Sequence, residues 1–193
     1  MKKRVISTAL TTVFVAGMAG LAAATETAGR WIHVRILDRG EKQESVKVNM
    51  PLPLLETVAS VIEDKDFKDG HVRLGDSDLD ADQVRALWQA VRSSQDMEFV
   101  TVESDDETVR VAKSGNFLLA KIRGNADGGK SGEKVEVKIP LDVVDALLSA
   151  PKGELNVKAA LQALAAHGGG DLVVIHDDDS DVRIWIDDRS AAE

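Results

Sequence analysis

The sequence contains no cysteine. Disulfides, thiolate zinc sites and cysteine nucleophiles are therefore excluded. Tyrosine is absent too, and aromatic residues make up only 4% of the chain. A core built from this sequence has to come mainly from Val, Leu, Ile and Ala. Basic residues are in deficit, with 24 Lys and Arg against 33 Asp and Glu, for a formal net charge of −9. Nucleic acid and anionic lipid attract basic patches, so this balance disfavours both as partners. After the first two dozen residues, no apolar run is long enough to cross a bilayer as a helix. What is present is an ordinary globular balance, 44% hydrophobic and 30% charged over 193 residues, enough for one or two small domains.

The first residues read as a targeting segment. Met1-Lys2-Lys3-Arg4 is a basic start, and Val5 to Ala23 is uncharged and rich in small side chains. Ala22-Ala23-Ala24 supplies the small residues that cleavage after Ala24 requires. We expect residues 1–24 to be a cleaved signal peptide that delivers the chain to the periplasm or the cell exterior. A retained anchor is the alternative, but Ala, Gly and Thr make the run weakly hydrophobic for a span. No cysteine follows to mark a lipoprotein. Losing Lys2, Lys3 and Arg4 leaves the mature chain more acidic still, with no further segment suited to stable membrane insertion.

The remainder is written twice. Residues 46–60 read VKVNMPLPLLETVAS and residues 135–149 read VEVKIPLDVVDALLS. Val46 aligns with Val135, Val48 with Val137, and Pro51-Leu52 with Pro140-Leu141. Each copy is an alternating strand that runs through Pro-Leu into helical spacing. Near the ends, VESDDETVRV (102–111) aligns with IHDDDSDVRI (175–184). A duplication at both ends of each copy signals an internal repeat.

Taken in order, Trp31 to Ile36 alternates, with Ile32, Val34 and Ile36 on one face. Pro51 and Pro53 should end strand pairing, because proline has no amide proton. Leu54, Leu55, Val58, Val61 and Ile62 then form a helical stripe. Residues 63–78 are irregular, with a short extra strand at 71–74. Asp78 or Asp80 is suited to cap a second helix whose stripe is Val84, Leu87, Trp88 and Val91. Met97–Val102 and Thr108–Lys113 read as strands. Ser114-Gly115-Asn116 is hairpin chemistry leading into Phe117–Ile122. The pattern then repeats to Ile186. The expectation is an α+β fold of two tandem β-β-α-α-β-β units, residues 31–114 and 115–188. They share a mainly antiparallel sheet with helices on one face. Residues 25–30 form a leader and 189–193 a polar tail.

The alternating strand entering V-x-V-x-x-P-L, two helices and an acidic hairpin ending V-x-I-x-I resembles the SHOCT-like domain. That domain stands at the N-terminus of Lia-type bacterial cell-envelope stress proteins and in uncharacterised bacterial proteins. The resemblance covers both units and implies an envelope-associated binding role without catalytic residues.

Candidate chemistry is sparse. GNADGGKS (124–131) fits the phosphate-loop pattern, but a strand follows it where a helix is needed, so it reads as a hairpin turn. Asp177, Asp178, Asp179 and Asp181, like Glu103 to Glu107, cluster carboxylates. Calcium takes several oxygen ligands, making the first cluster a weak calcium candidate, although it lacks the spacing of a calcium-binding loop. His33, His71, His167 and His176 form no metal-binding pair and are expected at ordinary surface positions. No serine lies in an activating context. Trp31, Phe99, Phe117, Leu119 and Trp185 fall opposite the Ile32/Ile184 face; packing between the units or coverage by loops is the favoured reading, and a candidate partner face is the sharper one. The functional expectation is an exported, non-catalytic binding or interaction module of the cell envelope, with no cofactor. A protein partner or self-association is the class of contact expected. A periplasmic hydrolase with an unrecognised site is the alternative.

Overall fold

The computed structural model describes residues 29–40, 43–62, 64, 67–73, 81–124, 132–151 and 153–191. In chain order its elements begin with β1 (Trp31–Asp38), β2 (Ser45–Pro51), α1 (Leu52–Val61), β3 (Phe67–Lys68) and β4 (His71–Arg73). Next come α2 (Ala81–Ser93), β5 (Met97–Glu103), β6 (Glu107–Ser114), β7 (Phe117–Gly124) and β8 (Lys134–Pro140). The last are α3 (Leu141–Leu147), β9 (Glu154–Asn156), α4 (Val157–Ala166), β10 (Gly170–His176) and β11 (Ser180–Asp187). The fold is mixed α+β with a large antiparallel sheet. The expected signal peptide and the capping aspartates at 78 and 80 lie outside the described residues.

Eight strands form the large sheet in the order β2-β1-β11-β10-β8-β7-β6-β5. Strict alternation lines up apolar side chains across it. One row runs Val48, Val34, Ile184, Val173, Val137, Ala120, Val111, Val100. The next runs Val46, Ile36, Val182, Ile175, Val135, Ile122, Val109, Val102. A period of two puts every second side chain on one face, and these registers keep all eight strands in phase. The turn between β6 and β7 is one residue tighter than Ser-Gly-Asn suggests, because Ser114 already faces Phe117. Gly115 takes φ +55°, the left-handed conformation that a two-residue hairpin turn asks for.

The two Pro-Leu sites turn strand into helix in the same way. Pro51 stays opposite Trp31 as the last residue of β2, so it ends the ladder without interrupting it. The Leu52 amide donates to the Arg30 carbonyl at 2.9 Å, and the Leu141 amide donates to the Asn116 carbonyl at 2.9 Å. Both leucine side chains are fully buried.

The helices lie in a row in which α1 packs on α4 and α4 on α3. At the far end α2 is fastened to α3. Trp88 donates its indole N–H to Asp145 at 2.6 Å, and Arg85 donates to the Leu148 and Ala150 carbonyls. The core centres on Leu52, Leu164 and Ile186, with Ile32, Leu55, Leu161 and Leu172 packed around them. The helices therefore cover the Ile32/Ile186 end of the sheet. A small sheet, β3-β4-β9, joins the irregular link after α1 to the start of α4. Gly70 sits at its turn with φ +77°, where an added Cβ would lie 2.7 Å from the Lys158 side chain.

Candidate functional site

On the sheet face opposite Ile32, adjacent strands β2, β1 and β11 bring Asn49, His33 and Trp185 into register. His33 is fully buried, not at the surface as its isolation in the sequence suggests. Its Nδ1 lies 2.7 Å from Asn49 Oδ1 and its Nε2 lies 3.0 Å from Asp187 Oδ1. The Trp185 ring stacks on it at 4.9 Å between centroids, and the Arg183 guanidinium lies 4.6 Å from the other ring system's centre, that of Trp185. The Trp185 indole N–H donates to Asp187 Oδ2 at 3.2 Å, and the Arg189 amide donates to Asp187 Oδ1 at 2.8 Å. Burial pushes the Asp187 carboxyl up. The Arg189 amide, the His33 and Trp185 hydrogen bonds and the His33 charge outweigh it and hold the carboxyl below the usual carboxylate range.

This cluster ties three strands together. A buried ring with both nitrogens at hydrogen-bonding distance from side-chain oxygens is a satisfied polar group, and no substrate atom can reach it. Beside it, a groove of about 480 Å³ is lined by Gly170, Arg183, Trp185, Asp187 and Arg189. No serine is among the described residues that line it.

The five residues of the candidate partner face are buried or half-buried. Trp185 is 7% exposed and covers His33. Phe117 is half-buried, with His167 edge-on at 5.4 Å and Lys138 Nζ 4.0 Å from its ring centre. Trp31, Phe99 and Leu119 are also half-buried. The acidic hairpin is held by its own contacts. Asp181 binds Arg39 and His176, the Arg39 amide donates to the Asp179 carbonyl at 2.7 Å, and Asp177 accepts the Asp178 amide. Asp177, Asp178, Asp179 and Asp181 are not gathered into a metal cage, and no group of three or more His, Cys, Asp or Glu among the described residues is placed to hold a metal ion. Residues 125–131 of the glycine-rich loop lie outside the described residues. His71 is half-buried with Nδ1 3.1 Å from the Asp69 carbonyl, and His167 lies 3.7 Å from Asp142.

Exposed apolar surface lies elsewhere. Val46 is exposed on β2, and Met97, Val100 and Val102 are exposed on β5. The other exposed large hydrophobics among the described residues are Leu54, Val58, Val61 and Ile62, on or just after α1, and Leu87 on α2. They occupy the two edge strands of the large sheet and the two end helices of the row. Hydrophobic patterning marks these residues as apolar positions, but it does not say which strands end up at the edges.

Residues 30–112 match the family model described as YvlB-like protein, C-terminal domain. The match covers less than half of the chain. It corrects the resemblance to the SHOCT-like domain, since the alternating strand, Pro-Leu and helix of residues 46–62 fall inside this different family model. Alternation and a proline mark where a strand gives way to a helix and carry no reactive motif, so the pattern does not by itself separate one family from another. No curated protein and no solved structure shows a significant match.

Proposed function

We propose that the chain is an exported, non-catalytic interaction module of the bacterial cell envelope, built from two copies of one unit, residues 31–114 and 115–188. The carrying observation is the confinement of all exposed large hydrophobics among the described residues to β2, α1, α2 and β5. Apolar side chains exposed along edge strands are a liability unless a partner covers them. The basic start and Ala22-Ala23-Ala24 support export.

The two-unit reading has support at the level of single bonds. The amides of Leu52 and Leu141 make the same contact to the residue before the first strand of their unit. The third strands bulge at equivalent places, between Glu98 and Val100 and between Asp171 and Val173. The YvlB-like match covers one unit and stops just short of the β6–β7 turn. Gln89-Ala90 and Gln162-Ala163 stand at matching positions of α2 and α4.

Affinity capture from the native envelope fraction tests the proposal. Mature wild-type chain and a Leu87→Lys/Val102→Lys variant serve as baits. The wild type should retain a stoichiometric protein that the variant loses. Equal retention by both, or none by either, overturns it.

A further inference from the structure

Written in chain order, the strands of the large sheet are β1, β2, β5, β6, β7, β8, β10 and β11. Each pairs with the next, and β11 pairs back onto β1, with a single exception: β2 and β5 stay unpaired at opposite ends. The helices show the same gap, because α1 and α2 stand at the two ends of their row. On the two-unit reading, on which this inference rests, the missing contacts have formed counterparts. The counterpart of β2 against β5 is β8 against β10, where Val137 faces Val173 and Val135 faces Ile175. The counterpart of α1 against α2 is α3 against α4.

Exposure follows this gap residue by residue. Val61 is 69% exposed, whereas Ala150 at the matching place is 2% exposed. Leu87 is 68% exposed, whereas Ala160 is 9% exposed. Val46, Val100 and Val102 are exposed, whereas Val135, Val173 and Ile175 are half-buried. The side chains that an intact seam covers in one unit are bare in the other.

We propose that a second copy of this chain fills the gap, with β2 of each copy pairing antiparallel with β5 of the other. The β8–β10 register sets Val48 opposite Val100 and Val46 opposite Val102. Lys47 then falls opposite Thr101 with Glu103 diagonal to it, a favourable charge placement. On the helix side, the Leu54/Val58/Val61 stripe of one copy meets Leu87 of the other. Two copies joined reciprocally leave no open edge, and the pair they form is closed and two-fold symmetric. Closure within one chain would require the ends of both the sheet and the helix row to move together.

The absence of native cysteine makes the test clean. Directly opposed residues of an antiparallel pair place their Cα atoms about 4.5–5.5 Å apart, within disulfide reach. Mature Val48→Cys and Val100→Cys chains, mixed and oxidised, should give a disulfide-linked dimer. Either variant oxidised alone should give little. The Val137→Cys/Val173→Cys double variant, at the existing counterpart, should close within one chain and serves as the positive control. Sedimentation of the wild type should show a dimer, and Val102→Lys should weaken it at least about a hundredfold, because it buries a charge in the seam. Circular dichroism of each variant excludes a folding defect. A monomer at every concentration, no cross-link in the mixture, or a disulfide within one chain for Val48→Cys/Val100→Cys overturns the pairing. If the chain is monomeric but still captures a different protein through Leu87 and Val102, the pairing falls and the binding proposal stands. If it captures nothing, both fall.

Discussion

Asp187 carries the sharpest single-residue consequence. Its carboxylate accepts from the Trp185 indole and the Arg189 amide and lies 3.0 Å from His33 Nε2, and its pKa is lowered. A carboxyl more acidic in the folded than in the unfolded chain adds stability above its unfolded pKa of about 3.9, which is lost as pH falls through the folded value. Asp187→Asn should therefore cost about 1.5–3 kcal/mol at neutral pH, the usual range for hydrogen bonds to a charged group. The deficit should shrink as the pH of a denaturant melt is lowered below 4. A deficit that is constant with pH would show that the carboxylate charge does not matter. Trp185→Ala removes the cover of a fully buried histidine and should destabilise by roughly 3–5 kcal/mol, as for a core aromatic. Trp185→Phe, which can keep the stacking, should recover much of that loss in the same melt.

At the scale of elements, the two strand-to-helix corners hang on Leu52 and Leu141. Each is fully buried, and each is placed by a hydrogen bond that its own backbone N–H donates to a carbonyl, of Arg30 or of Asn116. Leu52→Ala and Leu141→Ala should each cost about 2–5 kcal/mol, measured by equilibrium unfolding. A cost near zero at either would mean that its corner collapses to fill the void. These corners were legible in the sequence, because proline ends a ladder and the next apolar residue begins a 3.6-residue stripe. The alternating valines were legible from their period of two, and so was a hairpin at Ser114-Gly115-Asn116, although its turn is one residue tighter than that reading. Periodicity assigns a face, however, and not a neighbour. It gave no sign that His33, Asn49 and Asp187 would meet, since they come together only when β11 docks beside β1. The short strands β3 and β9 were missed because two or three residues carry too little pattern. Leu87 fits the α2 stripe by spacing but is exposed, because spacing does not reveal which end of the helix row α2 occupies.

For the whole molecule, the strand order divides the chain unevenly. Strands β11, β10, β8 and β7 are contiguous in the sheet and all belong to residues 117–187. Residues 31–114 supply β2-β1 at one end and β6-β5 at the other, joined in the sheet only through those four. A fragment of residues 115–193 should therefore still melt cooperatively, at a lower midpoint than the full chain because β11 loses β1 and β7 loses β6. A broad, non-cooperative melt would show that the four central strands depend on the outer pairs.

The pairing of β1 with β11 also sets a clock. His33 and Asp187 lie 154 residues apart in the chain and meet across that ladder. Closing so long a loop has to precede any gain from the contacts it makes, and this slows folding. While the polypeptide is still being synthesised, β1 can zip to β2 but waits for β11 on its other side. During that interval His33 has Asn49 beside it but water in place of Asp187, and the apolar row of β1 and β2 lacks its next neighbour. Until residue 187 has been added, the outer edge of β1 stays open to any other unpaired strand.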